Sequence, residues 1–316
     1  MMARRKLLGL FSSLGAAWVM GGREEGAVIL LRGGRLLRRR AMRRGGCFAA
    51  RPHPSVARAG TAAPARPSVA HHTRVHGIPS PPRPMLELLQ FHPAFGLMNP
   101  SPFCMKVEVF LRLAGLPYRC RNGEVPLRMP KRKLPVLRDG DLLVCDSQAI
   151  LVHLQQRYGA GMPASLKAPE TAGELVIRRT LEEHTLFAGL WLRWVDPPAW
   201  PQLKEAMFGQ FPAPLRWVVP PLVRRKIRRD IWGQGVGRHS REEIVARAKA
   251  DLDAVVELLG PLPYYAGQEP GALDATVYAF AANMLWAPID SPLRAHARGQ
   301  PRLVAYAQRM RERVGA

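Results

Sequence analysis

The most informative stretch of this 316-residue chain is Asn99-Pro-Ser-Pro-Phe-Cys-Met-Lys-Val-Glu108. Ser101 is a typical N-cap residue and Pro102 suits the first position of a helix, so the stretch predicts a helix that begins at Pro102. An apolar run from Leu86 to Phe91 precedes it and predicts a buried strand that ends in a loop. The helix has one apolar face, which consists of Phe103, Val107, Phe110, Leu111 and Ala114.

A hairpin and a second helix follow. Leu134 to Leu137 and Leu142 to Cys145 are apolar runs on either side of the turn Asp139-Gly140, which predicts two antiparallel strands. Asp146-Ser147 then predicts the start of a helix that ends at Gly159. Residues 85–160 therefore form a unit in which strands and helices alternate.

The rest of the chain, residues 165–316, has the periodicity of helices. Glu174 to Trp194 is a long periodic segment that places Leu175 and Leu181 on or near one stripe. Ser240-Arg-Glu-Glu243 is a capping box ahead of a second apolar face, and Gly260-Pro261 ends that helix. We expect an all-helical C-terminal domain.

Three motifs of the first unit resemble the thioredoxin-like N-terminal domain of glutathione transferases. They are the stretch 99–108, Lys133-Leu-Pro-Val136 and Cys145-Asp-Ser-Gln-Ala-Ile150. The Ser-Pro-Phe-Cys form and the segment Gly233 to Ser240 narrow the resemblance to the failed-axon-connections and metaxin-like branch. The fold implied is a thioredoxin-like α/β domain over residues 85–160 and an all-α glutathione transferase-type domain over residues 165–316.

A fourth motif, Gly271-Ala-Leu-Asp274, resembles the capping motif that opens the central core helix of the second transferase domain. The resemblance implies that Asp274 is a buried capping carboxylate with a structural role. The usual Ser or Thr at its partner position is Gly271 in this chain. Only half of the reciprocal capping box is therefore expected.

The resemblance implies a binding site for glutathione. Ser101 would donate its hydroxyl to the glutathione sulfur and is the expected catalytic residue. Leu134-Pro135, with a cis peptide bond, would pair with the cysteinyl part of the tripeptide. Asp146-Ser147 would hold the γ-glutamyl end at a helix N-terminus, and Lys133 could reach the glycyl carboxylate.

Each of these residues also has a plain structural interpretation. Ser101 and Ser147 are ordinary N-cap residues, which stabilise a helix by about 1 kcal/mol without any ligand. Asp146 replaces the Glu or Gln more usual in transferases and is one methylene shorter. Glutaredoxin-like relatives place a cysteine where Ser101 stands, so Ser101 and Cys104 cannot cycle as a dithiol. Cys104 has two interpretations. It is a reactive or glutathionylated thiol, or it is a small buried apolar residue, which is the more usual role of a cysteine one turn into a helix.

Two functions remain open on this sequence. The first is a glutathione transferase that conjugates glutathione to an unidentified small electrophile, either as a monomer or as a homodimer. The second is a non-catalytic adaptor or membrane-associated module of the metaxin-like kind. The basic run Arg224 to Arg229 beside Trp217 and Trp232 fits a membrane surface, but Pro220-Pro221 predicts an interruption, which favours a solvated helix face.

The formal net charge of +23 is unevenly distributed. Residues 1–84 contain 16 Lys and Arg but two acidic residues, whereas residues 85–316 contain 31 and 22. The charge of the folded part therefore suits an anionic tripeptide and does not require a nucleic acid. No metal site is expected. The four cysteines lack paired spacing, and His71, His72 and His76 lie in a Pro- and Arg-rich tail.

Residues 1–84 form the predicted N-terminal extension, and three interpretations of it stay open. Its opening, from Ala3 to Met20, resembles a signal peptide, and its Arg-rich composition also fits a transit peptide. Alternatively, translation begins at Met85, directly before the first strand. The expected location is the cytoplasm, or an organelle or the exterior if the extension is a targeting segment.

Overall fold

The structure is a computed structural model that describes residues 85–209 and 211–315. The predicted N-terminal extension lies outside these residues. The first part of the described chain is a four-stranded sheet flanked by two helices, of which the sequence predicts both helices and three of the strands. Its elements are β1 (Leu86–Gln90), α1 (Pro102–Leu113), β2 (Tyr118–Asn122), β3 (Val136–Asp139), β4 (Leu142–Cys145) and α2 (Ser147–Tyr158).

The strand order is β2-β1-β3-β4, with β1 and β2 parallel and the other pairs antiparallel. The register aligns Leu89 of β1 with Val136 of β3, and Val136 with Cys145 of β4. The end of β1, the start of β3 and the end of β4 therefore lie side by side at one edge of the sheet. Residue Pro135 precedes β3 directly, and the Leu134–Pro135 peptide bond is cis, as the resemblance implies.

The second part of the described chain is helical. A π-helical segment, Thr180–Thr185, joins the second and third of its helices into one continuous rod. The helices are α3 (Ala164–Lys167), α4 (Ala172–Arg179), α5 (Leu186–Trp194), α6 (Trp200–Phe208), α7 (Leu215–Gln234), α8 (Arg241–Leu259), α9 (Ala272–Leu285), α10 (Pro292–Arg298) and α11 (Pro301–Val314).

Helix α9 is the centre of this helical part and packs against α1 of the sheet domain. The Asp274 side chain accepts hydrogen bonds from the N–H groups of Tyr265 at 2.9 Å and Gly271 at 2.8 Å, and from the Tyr306 hydroxyl at 3.1 Å. Asp274 is fully buried, so it has the structural role expected of it. A Cβ atom on Gly271 would lie 2.6 Å from the Cβ of Ala266, which explains the absence of the usual Ser or Thr.

Three details of the helical part differ from the prediction. Leu175 is 40 % exposed, and Ile177 is buried instead, in the turn before the π-helical segment. A π-helical turn contains an additional residue and rotates the faces on either side of it relative to a regular helix. Helix α7 runs through Pro220-Pro221 without interruption, which contradicts the break expected there.

Candidate functional site

The residues predicted to form the site converge on the edge of the sheet. A small apolar cluster there contains Cys104 from α1 and Leu134 from the segment before β3, and Cys145 at the end of β4 packs against it. The three predicted motifs therefore meet around one cluster. Both helices begin at this edge, α1 directly after Ser101 and α2 directly after Asp146.

Ser101 is the N-cap of α1, as predicted. Its hydroxyl oxygen accepts a hydrogen bond from the Cys104 N–H at 3.4 Å. Its own N–H donates to the Asn99 side chain at 3.0 Å, and the Asn99 amide donates to the Phe91 carbonyl at 2.9 Å. Ser101 is only 3 % exposed. The loop between β1 and α1 is thus fixed by buried hydrogen bonds, and Asn99 is a positioning residue that the sequence motif alone did not single out.

Cys104 is fully buried one turn into α1. Burial raises the pKa of its thiol to about 12, although hydrogen bonds with Ser101 and the Phe91 backbone act in the opposite direction. A thiol with this pKa is protonated at neutral pH and is a poor nucleophile. The structure therefore argues against the reactive or glutathionylated thiol and favours the buried apolar residue.

Lys133 is partly buried beside Asp146. Burial lowers the pKa of its ammonium to about 8, while the nearby charge of Asp146 raises it and that of Lys226 on α7 lowers it further. Among the residues that the structure describes, no carboxylate forms an ion pair with Lys133. A partly desolvated cation that makes no ion pair favours the binding of a negatively charged group.

The N-cap of α2 differs from the expectation for Asp146 and Ser147. Asp146 is the N-cap, because its Oδ1 accepts from the N–H groups of Gln148 at 3.0 Å and Ala149 at 3.1 Å, whereas Ser147 is the first residue of α2. The expectation that Ser147 is itself an N-cap is wrong. Asp146 has a φ of 91°, a conformation that residues other than glycine rarely adopt and that is often found at functional sites.

A buried ion pair links α1, which begins at this edge, to the helical part of the chain. Lys106, fully buried in α1, donates to Glu182 of the π-helical segment at 2.8 Å and to Gln148 of α2 at 2.7 Å. Arg178 in turn donates to Glu182 at 3.1 Å. The sequence motifs do not reveal this network. The signal available was a lysine between the apolar residues Met105 and Val107 in the second turn of α1.

Within residues 85–209 and 211–315, no group of three or more His, Cys, Asp or Glu side chains is arranged to hold a metal ion. His71, His72 and His76 lie outside the described residues. None of the helices in these described residues has an apolar stretch of the length that a membrane span requires.

A thioredoxin-like domain with a cis-proline at the edge of its sheet, joined to a helical domain with a buried core helix, is the architecture of glutathione transferases. The chain belongs to the glutathione S-transferase superfamily. Residues 102–199 match the glutathione S-transferase N-terminal domain, and residues 248–310 match the C-terminal domain.

Several curated proteins are similar to this chain. Isoprene-epoxide–glutathione S-transferase of Rhodococcus sp. (strain AD45) is 27 % identical over 72 % of this chain and 98 % of its own length. Failed axon connections of Drosophila melanogaster is 27 % identical over 72 % of this chain, which spans 58 % of that protein. Metaxin-1 of Mus musculus is 26 % identical over 70 % of this chain and 72 % of its own. The resemblance to the failed-axon-connections and metaxin-like branch is therefore confirmed, because members of that branch are among these relatives.

Solved structures show the same fold. A glutathione S-transferase of Ceriporiopsis subvermispora, crystallised in complex with glutathione, superimposes with a TM-score of 0.52. The match covers 72 % of this chain and 97 % of that one at 15 % sequence identity. At this identity the comparison establishes the fold.

Proposed function

We propose that this protein binds glutathione and conjugates its thiolate to a small electrophile. The observation that carries the proposal is the partly buried Lys133 ammonium beside Asp146, which has no ion-pair partner among the described residues. Glutathione supplies the missing anion through its glycyl carboxylate. Membership of the glutathione S-transferase superfamily supports the same assignment.

The remaining charges of the site suit the other end of the tripeptide. The first N–H groups of α2 carry partial positive charge and attract the α-carboxylate of the γ-glutamyl residue. The Asp146 carboxylate, exposed at the same helix start, attracts its ammonium group. Two anionic groups and one cationic group of glutathione thus have counterparts of opposite charge at this edge.

The reaction proposed is a nucleophilic substitution or addition by the glutathione sulfur. The N-terminus of α1 lowers the pKa of a thiol placed there, and the Ser101 hydroxyl donates to the resulting thiolate. With an epoxide, the type of substrate in the name of the Rhodococcus relative, the sulfur attacks a ring carbon as the carbon–oxygen bond breaks. The alkoxide then takes a proton from water. The protein contributes proximity and electrostatic stabilisation.

A conjugation assay with an epoxide and with an aryl halide tests the proposal. We expect Ser101→Ala to lower turnover about a hundredfold while glutathione affinity changes by less than about threefold, because the hydroxyl acts on the thiolate. Ser240→Ala is the matched control, since it removes a cap hydroxyl from α8, far along the chain. Equal losses of turnover and affinity in Ser101→Ala would rule out thiolate activation by Ser101.

A non-catalytic interaction module is the second candidate function. The burial of Ser101, whose hydroxyl already caps α1, favours it, because a thiolate-activating hydroxyl must reach the ligand. The similarity to failed axon connections and to metaxin-1 is also compatible with it. Glutathione binding without turnover of either electrophile would favour this candidate over the transferase.

A further inference from the structure

The outer face of helix α7 combines exposed aromatic, aliphatic and arginine side chains. Of the tryptophans that the structure describes, Trp217 at 63 % and Trp232 at 58 % are the two that are more than half exposed. Val218 and Leu222 are exposed to 50 % and 61 % on the same helix. The opposite face is buried through Val219, Pro220, Ile227 and Ile231. Helix α7 is thus anchored on one side and carries large apolar groups into solvent on the other.

The arginines lie on this same outer face. At 100° per residue, Val218, Leu222, Arg225, Arg229 and Trp232 fall within one arc that faces away from the buried residues. Arg228 and the exposed Trp217 lie on one flank of that arc. In the described part of the chain, none of these three arginines forms an ion pair or a hydrogen bond through its side chain.

The single carboxylate of α7 does not neutralise this face. Asp230 accepts from Lys226 at 2.5 Å, on the flank of the helix that faces Lys133. The continuity of the helix through Pro220-Pro221 brings the apolar N-terminal half and the basic C-terminal half into one surface about 30 Å long. Pro220-Pro221, which in the sequence argued against a membrane-binding surface, therefore does not interrupt the helix.

We propose that the outer face of α7 docks on the surface of a membrane that contains anionic lipids. Tryptophan and leucine side chains enter the headgroup region of a bilayer, and arginines bind its phosphates and acidic headgroups. Other occupants fit less well. Residues 1–84, with 16 Lys and Arg and two acidic residues, are repelled by this face, and pairing with a second copy brings like-charged arginines together.

The test uses the full chain and vesicles of phosphatidylcholine with and without phosphatidylserine. The basic residues 1–84 can bind such vesicles alone, so the readout is local: quenching of tryptophan fluorescence by lipids brominated in the acyl chain. Subtracting the signal of the Trp217→Phe/Trp232→Phe variant isolates these two side chains. We expect quenching on anionic vesicles, weakened by salt, and much less on neutral ones.

A triple variant, Arg225→Gln/Arg228→Gln/Arg229→Gln, tests the electrostatic part. Each lost charge is expected to weaken partitioning through this face about fivefold, and the three together about a hundredfold. The control Arg128→Gln/Arg302→Gln/Arg313→Gln removes the same charge from exposed positions outside α7 and should retain quenching. Vesicle binding without quenching of Trp217 and Trp232, or equal loss in both triple variants, would overturn the proposal. All variants change exposed residues, and circular dichroism checks that they fold.

Discussion

The Lys106 ammonium lies 2.8 Å from the Glu182 carboxylate, and both side chains are buried. This ion pair joins α1, which carries the predicted catalytic residue at its start, to the π-helical segment of the helical domain. Desolvation lowers the pKa of Lys106, and Glu182 raises it in opposition. The geometry of the candidate site therefore depends on a charge pair that bridges the two domains.

Breaking this pair from one side should destabilise the protein strongly. Glu182→Gln leaves a buried cation opposite a neutral amide, and we expect a loss of about 3 to 5 kcal/mol in the free energy of unfolding. Lys106→Met should cost less, because Arg178 still pairs with Glu182. Urea unfolding followed by circular dichroism measures both variants and the double variant. Costs of the single variants that simply add in the double variant would contradict a coupled pair.

The pH dependence of Glu182→Gln gives a second check. A buried lysine without its anion has a folded-state pKa below its unfolded value, so the unfolded state binds more protons between the two. The stability of Glu182→Gln should therefore rise as the pH increases through that interval, while that of Lys106→Met/Glu182→Gln should not. A flat profile for the single variant would show that Lys106 is not the titrating group.

Glutathione affinity should depend on pH through Lys133. The pKa of Lys133 is lowered to about 8, so the ammonium is present below that pH and attracts the ligand carboxylate, and affinity falls as the pH rises above it. S-methylglutathione, whose sulfur does not ionise, removes the contribution of the thiol in a calorimetric titration. Its ammonium also titrates, so the effect of Lys133 is the difference between the pH profiles of the wild-type protein and a Lys133 variant. Lys133→Arg, which stays charged, should abolish the decline near that pH and retain binding. Persistence of the decline in Lys133→Arg would assign it to another group.

Cys104 should resist modification in the folded protein. It is fully buried and the pKa of its thiol is raised to about 12, whereas Cys145 is partly exposed. Mass spectrometry after treatment with a thiol-alkylating reagent should find Cys145 labelled before Cys104, and Cys104 labelled after unfolding. Cys104→Ala should also leave glutathione binding intact. Rapid labelling of Cys104 under native conditions would restore the reactive-thiol interpretation.

The cap of α9 has a steric requirement at Gly271. Gly271→Ser restores the reciprocal capping box but places a Cβ 2.6 Å from that of Ala266, so we expect a net loss of about 1 to 3 kcal/mol in stability. Ala266→Gly removes the opposing methyl group. The double variant should therefore be more stable than Gly271→Ser alone, as measured by thermal unfolding. If Gly271→Ser alone stabilises the protein, the packing argument is wrong.

The local signals of the sequence were sufficient for most of the sheet domain. Ser101-Pro102 predicts the start of α1, and Asp139-Gly140 predicts the hairpin, because caps and tight turns depend on residues close in the chain. The capping box at Ser240 was equally reliable. Strand β2 was not predicted. It is the outermost strand next to β1, and its residues, Tyr118–Asn122, are polar and half exposed and lack the apolar pattern of a buried strand.

The features that the sequence did not reveal depend on distant contacts. Glu182 lies 76 residues from Lys106, and no local pattern predicts that they meet. The path of α7 through Pro220-Pro221 was also unexpected. Proline disfavours a helix interior through lost hydrogen bonds and steric conflict, but packing of Val219, Pro220 and Ile227 against the core stabilises the helix there.

Calorimetric titration of the full chain with glutathione tests whether the glutathione site exists. We expect saturable binding with a dissociation constant between about 10 µM and 1 mM near neutral pH, the range of many enzyme–substrate pairs. Lys133→Met should weaken that binding, whereas Lys204→Met, at an exposed position on α6, should leave it unchanged. The absence of binding at concentrations of about several millimolar would contradict the glutathione site and the transferase function together.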